Sequence, residues 1–453
     1  MSDERNYVEL SYDGRLFRRT FGVPRKVFDF LLSEVQKVDA LKDKGEGAGR
    51  GQTRAPAALQ LMAALYRLRK ACDTHTLFWL TRLGVSTLHR WFHAFVEHFA
   101  DGPVFKEWVH AAATDAELAE DMHVYEKMGF PGAFCSQDGV HLIWEKCPSK
   151  QCAMHKREGF PSLGFNVTVN HAKRIRAVAG AYPGTRNDKT LAYHDQFTIG
   201  LRTGAMRLRG GRAVRDVPYD LYSVDGSVQR LKGPWIVCDG GYHRWRVYQG
   251  PLKFSSDKNK LRWTKRLESV RKDVECTFGI LKKRFRVLKT PLTFMTASTV
   301  SHVMRTCCVL HNILLEHDGL ATIGQEEGDW LQADLDADEV RVYREREAEL
   351  LRRYSAVVPA RDVTREDRRE VREWAMLREQ LMVHFTYVRN RRRLLWPKPA
   401  AQGRDPVRAH ILPREEPASD EEHEECDSYE EEFEERESDE ESGSAMSAGD
   451  DGV

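Results

Sequence analysis

The order of strand-like and helical segments between residues 131 and 316 most constrains the fold of this chain. Strand patterns occupy 131–144 and 235–238, and the segment 164–184 has the pattern of a hairpin of two more strands. Helical patterns follow at 187–197 and again from 262 to 316. Three strands, a helix, a fourth strand and further helices are typical of an α/β layer and not of a β-sandwich.

Three helical segments with short joints precede this region, within residues 55–100. The last joint, RLGVST, has Gly84 as its predicted C-cap and Ser86 as its predicted N-cap. The buried face of the next helix is predicted to hold Leu88, Phe92, Phe95 and Val96. The residues that remain available near its N-terminus are Thr87, His89 and Arg90. This layout predicts a helix-turn-helix DNA-binding domain over 55–112, although an ordinary helical hairpin has the same pattern.

The formal net charge of +1 conceals a strong asymmetry along the 453 residues. Residues 415–453 hold 19 acidic residues and one Arg, a net charge of −18, which leaves +19 for residues 1–414. A basic body indicates an anionic partner, most often nucleic acid. An acidic segment poor in aliphatic residues predicts a disordered tail, placed at 401–453. Charged helices are predicted over 338–396, and 1–54 is interpreted as an N-terminal leader.

Two further features bear on location and metal content. No run approaches the roughly 18 apolar residues of a membrane span, and the N-terminus lacks a signal-peptide pattern, so we expect a soluble intracellular protein without a membrane partner. The nine scattered Cys are typical of reduced thiols. Cys147, Cys152 and His155, with His141 nearby, could form part of a zinc site, but the missing fourth ligand favours ordinary loop residues.

Three acidic residues stand out by their context. Asp138 lies in an apolar strand, Asp239 directly follows the apolar WIVC segment, and Glu275 lies on a basic helix. Buried carboxylates are costly unless they are paired or bind metal, and α/β folds place their sites at strand ends. Each Asp precedes a glycine, which alone indicates only a turn. Together the three acids, with 35 residues between Asp239 and Glu275, predict a two-metal phosphodiester site.

Six segments carry a resemblance to a known family. They are SQDGVH (136–141), FNVTVN (165–170), PGTRNDKTL (183–191), CDGGY (238–242), SVRKDVECTFGILKKRFRVL (269–288) and CCVLHNIL (307–314). In order and approximate spacing they resemble the PIF/Harbinger transposases and Harbinger-derived nucleases, over about residues 55–316. The resemblance implies an RNase H-like DDE nuclease domain, at 131–316, with Asp138, Asp239 and Glu275 as catalytic triad and Asp188 in support.

The same resemblance implies an activity and partners. The expected activity is that of a DNA endonuclease and transposase, with two Mg²⁺ or Mn²⁺ ions held by the triad. A Myb-like accessory protein, a nuclear location and a homodimer on DNA are also expected. Two features depart from the family pattern: Asn187 stands where His is usual, and 195–233 is long and rich in Gly and Arg. A domesticated relative that binds DNA without cutting it is the alternative.

The helix that carries Glu275 is strongly basic. Residues 258–289 hold twelve Lys or Arg against three acids, and such residues give salt-sensitive phosphate contacts. The predicted DNA-binding residues here are Arg271, Lys272, Lys282, Lys283, Arg284 and Arg286. The predicted buried stripe is Val274, Phe278, Leu281, Phe285 and Leu288. A plain Arg271–Glu275 surface pair is the simpler interpretation of the acid. Glu268 is a weaker candidate for the third carboxylate, and His311 is predicted to be structural.

Overall fold

The N-terminal part of the chain is helical. A computed structural model describes residues 11–43, 55–157, 159–252, 255, 257–321, 365–391 and 393–397. Its first helices are α1 (Tyr12–Phe21), α2 (Arg25–Gln36), α3 (Ala57–Lys70), α4 (Thr74–Thr81), α5 (Val85–Asp101), α6 (Pro103–Trp108) and α7 (Asp115–Lys127). The three helices predicted within 55–100 are thus confirmed as α3, α4 and α5. The predictions for 338–364 and for 401–453 lie outside the described residues.

A mixed sheet follows these helices. Its first strands are β1 (Ala133–Ile143), β2 (Lys156–Arg157), β3 (Phe160–Val169) and β4 (Ile175–Pro183). A separate hairpin consists of β5 (Pro218–Tyr222) and β6 (Val228–Lys232), and the sheet is completed by β7 (Trp235–Val237) and β8 (Tyr248–Gln249). Along the sheet β4 and the short β2 pair with β3, followed by β1, β7 and β8. β1, β3 and β4 are antiparallel, whereas β7 and β8 run parallel to β1, which confirms an α/β fold.

The remaining helices are α8 (Cys152–His155), α9 (Asp188–His194), α10 (Gln196–Thr203), α11 (Lys258–Arg284), α12 (Ala297–His317) and α13 (Arg365–Asn390). Among the described residues, no helix is long and apolar enough to cross a membrane. The long Gly- and Arg-rich segment 195–233 contains the hairpin of β5 and β6, which the sequence did not predict. Tyr219 and Leu221 alternate with more exposed positions on β5, and this alternation buries them in the core while polar residues face outward.

The joint before α5 differs from its prediction. Arg82, with a φ of 59°, ends α4, and its N–H donates to the carbonyl oxygen of Phe78 at 2.7 Å. The left-handed residue therefore comes two positions earlier than the predicted C-cap, Gly84. Gly84 is instead the N-cap of α5, and Ser86 lies within the first turn, so both cap predictions were wrong. The predicted buried face of α5 is confirmed, because Leu88, Phe92, Phe95 and Val96 are all buried.

The N-terminal helices and the sheet share one core through α12. The Thr306 hydroxyl on α12 donates to the carbonyl oxygen of Val96 on α5 at 3.0 Å, and Phe92 stacks on Phe294 at 5.8 Å. Helix α11 continues this core, since Val274 and Leu281 pack with the N-terminal helices. Farther towards its N-terminus, α11 packs against β7, β8 and α13 through a second set of buried residues, Trp263, Leu267 and Val270. One helix therefore fixes both halves of the molecule relative to each other.

His311 is structural, as predicted. Its Nε2–H donates to the carbonyl oxygen of Lys173 at 2.9 Å, and complete burial lowers its pKa to about 3, so the ring stays neutral. The neighbouring Asn312 binds both backbone groups of Ile175, at 2.9 and 2.8 Å, and donates to Trp108 at 2.7 Å. These contacts attach α12 to the start of β4.

Helix α13 packs against the β5–β6 hairpin through His384. The Nδ1 atom of His384 accepts a hydrogen bond from the backbone N–H of Tyr222 at 3.0 Å, and the two rings stack 5.5 Å apart. Accepting this bond requires an unprotonated Nδ1. Burial lowers the pKa of His384 from its ordinary 6.5 to about 4. The docking of α13 therefore favours the neutral imidazole.

We expect this contact to weaken in acid. Between about pH 6.5 and pH 4 the unfolded chain binds a proton that folded His384 resists, so the free energy of unfolding falls as pH decreases. At pH 5 the loss relative to pH 7.5 is about 2 kcal/mol from this group. His384→Asn keeps an acceptor at the place of Nδ1 but does not titrate. Urea unfolding at the two pH values should show a smaller acid loss in the variant, and equal losses would refute the assignment.

Candidate active site

The centre of the sheet presents two polar side chains in succession. Gln137 and Asp138 are neighbours on β1, so they point to opposite faces of the sheet. Asp138 faces α11, where its Oδ2 accepts a bond from Nη1 of Arg271 at 3.1 Å. Its Oδ1 accepts the N–H of Gly139 at 2.8 Å, and the side chain is 18% exposed. The carboxylate is thus held from two sides and is still reachable from solvent.

Two further aspartates lie beside Asp138. Asp239 follows β7, which is parallel to β1 and adjacent to it, and its Oδ1 accepts the N–H of Gly241 at 2.7 Å. Asp188 is the first residue of α9, whose N-cap Asn187 accepts the N–H of Thr190 at 3.0 Å. A Cβ atom on residue 139 would lie 2.6 Å from Oδ1 of Asp188, so a side chain at this position would require the Asp188 carboxylate to shift.

The three aspartates influence one another electrostatically. The pKa of Asp138 is raised to about 6, mainly by burial and also by the charges of Asp239 and Asp188, while the Gly139 hydrogen bond and the Arg271 charge oppose the rise. Burial also raises the pKa of Asp188, as does the charge of Asp239. Like charges at such range favour a bound cation or a proton. The fold therefore places Asp138, Asp188 and Asp239 within electrostatic range of one another.

Glu275 joins this group through Arg271. Its Oε1 lies 2.6 Å from the same Nη1 atom of Arg271 that binds Asp138, and its side chain is 43% exposed. The simple Arg271–Glu275 pair therefore exists, but it is one half of a bridge from α11 to β1. The alternative acid, Glu268, lies seven residues earlier on α11, about 10 Å away along the helix axis. The bridge to Asp138 favours Glu275 as the third carboxylate.

The donor set suits a hard divalent cation, since it consists of carboxylate oxygens. In the described part of the chain, however, no three or more His, Cys, Asp or Glu side chains are placed to hold a metal ion. Arg271 is the cation that joins the predicted ligands Asp138 and Glu275 as the side chains lie. The arrangement is therefore that of carboxylates paired with an internal guanidinium.

Cys147, Cys152 and His155, the residues of the possible zinc site, make local contacts. The ring of His155 is buried edge-on against Trp144 at 5.1 Å, and its Nδ1 lies 3.3 Å from the carbonyl oxygen of Ser162. The Cys152 thiol donates to the carbonyl oxygen of Cys147 at 3.5 Å. These contacts engage the three residues in local packing.

A buried carboxylate that the sequence analysis missed lies behind the site. Asp195 is 2% exposed and separates α9 from α10. Its Oδ2 accepts bonds from the side-chain amides of Gln137 at 2.7 Å and Asn166 at 2.8 Å, and from the Thr198 hydroxyl at 3.0 Å. Its Oδ1 accepts the N–H of Phe197 at 3.0 Å. One carboxylate thus ties β1 and β3 to the start of α10.

Two tyrosines extend this network to the loops of the site. The Tyr242 hydroxyl, three residues after Asp239, donates to Oδ1 of Asn166 at 2.8 Å. The Tyr248 hydroxyl on β8 donates to Oε1 of Gln137. The signal in the sequence was the presence of amides in apolar strands, because buried polar groups require partners. Their partner, Asp195, could not be identified without the fold.

The predicted DNA-binding residues differ in how far they are exposed. Those exposed are Lys272, Lys283 and Arg286 near the site helix and His89 and Arg90 on α5, whereas Thr87 and Lys282 are half-buried. Arg284 was predicted wrongly, because its guanidinium lies 3.7 Å from Asp318 and donates to the His311 carbonyl. Arg284 is the last residue of α11, and its side chain packs against α12. Arg271 is engaged by the carboxylates.

Comparison with known proteins agrees with the class of protein that this site suggests. The family model described as "Plant transposon protein" matches residues 107–321, which include all four acids of the site. A rat protein named "Putative nuclease HARBI1" is 23% identical over 217 residues, 47% of this chain and 54% of the rat protein. The Arabidopsis thaliana "Protein ALP1-like" is 23% identical over 314 residues, 68% of this chain and 72% of that protein.

These matches confirm the resemblance to the Harbinger-type transposases and Harbinger-derived proteins, at low identity. The chain spans about half the length of the rat relative and of its bovine counterpart. No solved structure matches the chain significantly. The family is therefore supported by sequence over the region that carries the site.

The Asp195 network makes a prediction about stability. In Asp195→Asn an amide group replaces one acceptor oxygen and faces donors from Gln137, Asn166 or Phe197. We expect the free energy of unfolding to fall by about 3 kcal/mol, measured by urea unfolding. The matched control is Asp220→Asn, at an exposed position of β5, which should unfold at the wild-type midpoint. Equal midpoints for all three proteins would show that Asp195 does not hold the strands together.

Proposed function

We propose that this protein is a divalent-metal-dependent DNA endonuclease and transposase of the Harbinger type. The observation that carries the proposal is the grouping of Asp138, Asp188 and Asp239 from three separate elements, with Glu275 attached through Arg271. Relatives named as a nuclease and a match to a transposon-protein family support the same class. Isolated surface acids would not need to approach one another in this way.

The sheet supports the proposed RNase H-like DDE domain. Its central strand β1 carries Asp138, and the adjacent parallel strand β7 ends next to Asp239. The crossing helix α11 brings Glu275 to the face of β1 on which Asp138 lies. In the proposed DDE site these three acids, distant in sequence, would act together.

Each acid has a separate part in the proposed reaction. Asp138, Asp239 and Glu275 would hold Mg²⁺ or Mn²⁺, with Asp188 supporting Asp138 from α9. The Gly139 and Gly241 N–H groups orient the two aspartates by hydrogen bonds at 2.8 and 2.7 Å. Two bound ions would supply the Lewis acidity that activates water or a 3′-hydroxyl and stabilises the leaving oxygen. The products would be cut DNA and, after strand transfer, 3′ ends joined to target DNA.

Basic residues would position the DNA backbone at these acids. Lys272, Lys283 and Arg286 are exposed on α11 and the turn that follows it, on either side of Glu275 in sequence. Near the start of α5, His89 and Arg90 are exposed, as a helix-turn-helix that binds DNA would require. A homodimer on DNA, a Myb-like accessory protein and a nuclear location belong to the same proposal.

A second candidate function is DNA binding without cleavage, by a domesticated relative. The observation that favours it is the Arg271 bridge, because an arginine can neutralise the acids without any metal. The acids would then stabilise the fold and would take no part in catalysis. The two candidates differ in what Asp239 does.

Asp239→Asn tests the proposed reaction directly. We expect wild-type protein to nick supercoiled plasmid in Mn²⁺ and the variant to lose at least about 100-fold in rate, because a metal-binding carboxylate is removed. Nicking is measured as conversion to open circles on agarose gels. The control is Asp220→Asn, which removes the same charge from the β5–β6 hairpin and should nick like the wild type.

Two other results would contradict the endonuclease. Equal nicking by wild type and Asp239→Asn would mean a contaminant or a wrongly placed site. If the wild type and the variants bind DNA in a salt-dependent way but none of them nicks it, the non-catalytic candidate is supported. The nicking assay for this outcome also uses DNA that carries the transposon ends.

A further inference from the structure

Arg271 occupies an unusual position for a basic residue on a DNA-facing helix. A single atom, Nη1, lies 2.6 Å from Oε1 of Glu275 and 3.1 Å from Oδ2 of Asp138. These two acids belong to different elements, α11 and β1, and Arg271 is 21% exposed. A helical surface pair alone would involve only Glu275 and contribute a few tenths of a kcal/mol. The contact with Asp138 is across the fold and therefore depends on the tertiary structure.

The Arg271 bridge lies among several negatively charged side chains. Asp138 lies within electrostatic range of Asp188 and Asp239, so the fold groups like charges that repel one another. A cation at this point offsets that repulsion and lets the acids remain close. Arg271 supplies such a cation from within the chain.

The guanidinium and a metal ion cannot use the same oxygens at once. Two of the three predicted metal ligands, Asp138 and Glu275, are those that Arg271 binds. A divalent ion that binds Oδ2 of Asp138 and Oε1 of Glu275 would compete with Arg271 for these oxygens and displace it. Arg271 is itself partly exposed, so its side chain can turn towards solvent, where a DNA phosphate would be accessible. An arginine fork also suits a phosphate group as well as it suits a carboxylate.

We propose that Arg271 is an internal counter-ion that holds Asp138 and Glu275 until a divalent ion displaces it, and that it then binds a DNA phosphate. This inference rests on the proposed function, since it assumes that the acids bind metal. It assigns Arg271 a positioning and regulatory part that neither a DNA contact nor a surface pair would have. Metal binding and DNA binding become coupled, because the residue released by one is used by the other.

Mn²⁺ affinity without DNA provides the decisive measurement. Free Mn²⁺ is titrated by electron paramagnetic resonance against the full chain, for wild type, Arg271→Gln and Arg262→Gln. Because no competing guanidinium remains, Arg271→Gln should bind Mn²⁺ about tenfold more tightly than wild type. Arg262→Gln removes the same charge about 13 Å farther along the same helix and should bind like the wild type.

Thermal unfolding gives a second readout that is independent of activity. Without metal, Arg271→Gln should melt below the wild type, because the grouped acids lose their counter-ion. Saturating Mn²⁺ should raise its Tm more than it raises that of the wild type. If Arg271→Gln does not fold without metal, Arg271→Lys is used, since its single ammonium keeps the charge but spans the two acids poorly. It should bind Mn²⁺ about threefold more tightly than the wild type.

The DNA half of the proposal has its own measurement. In Mn²⁺, the slope of log K against log salt for DNA binding should be about 0.9 less steep in Arg271→Gln than in the wild type, because one phosphate contact is lost. An unchanged slope would overturn the transfer of Arg271 to DNA.

The outcomes distinguish failure of the counter-ion proposal from failure of the proposed nuclease function. Equal or weaker Mn²⁺ binding by the Arg271 variants, with binding by wild type that Asp239→Asn abolishes, would overturn the counter-ion and leave the nuclease proposal intact. No Mn²⁺ binding by the wild type, and none by the Arg271 variants, would overturn both.

Discussion

The buried carboxylate of Asp195 connects most of the elements on which the site depends. Four donors from β1, β3 and the start of α10 converge on its two oxygens, and Tyr242 and Tyr248 add the loop after β7 and strand β8. A negative charge is costly to bury unless it is fully hydrogen-bonded, so such a centre constrains all its partners together. The catalytic candidates lie on the next residue of β1 and in the adjoining loop. Their spacing is therefore set by a network that includes none of them.

Helix α11 positions site residues from the other face of the sheet. Its buried residues enter two hydrophobic clusters, and its exposed side carries Lys272 and Lys283 with Glu275 between them. Because the helix is fixed along its length by packing, Arg271 contacts Asp138 and Glu275 without support from a flexible loop. Sites on rigid elements hold their geometry closely, which suits chemistry that depends on the placement of several carboxylates.

The elements that depend only on residues near one another in the chain were predicted correctly. The strands β1, β3, β4 and β7, the helices α3 to α5 and the buried face of α5 all follow from hydrophobic periodicity, and Asp138 and Asp239 stood out as acids in apolar strands. Sequence analysis failed where long-range packing decided the outcome. Arg284 has the composition of a DNA contact, but α12 and Asp318 engage it. The hairpin of β5 and β6 was not predicted, because the many glycines and arginines of 200–233 obscure the alternation of the two buried residues on β5.

The sequence by itself determined the α/β class, the two aspartates at the strands and the basic helix that carries Glu275, because each depends on residues near one another in the chain. Only the tertiary structure decided which charges meet. Asp195 became the centre of a network because β1, β3 and α10 surround it, and Arg271 became a bridge because α11 crosses β1 at Asp138. Electrostatic and hydrogen-bond energies depend on distance in space, and residues 133 positions apart in sequence can lie 3.1 Å apart only after the chain folds.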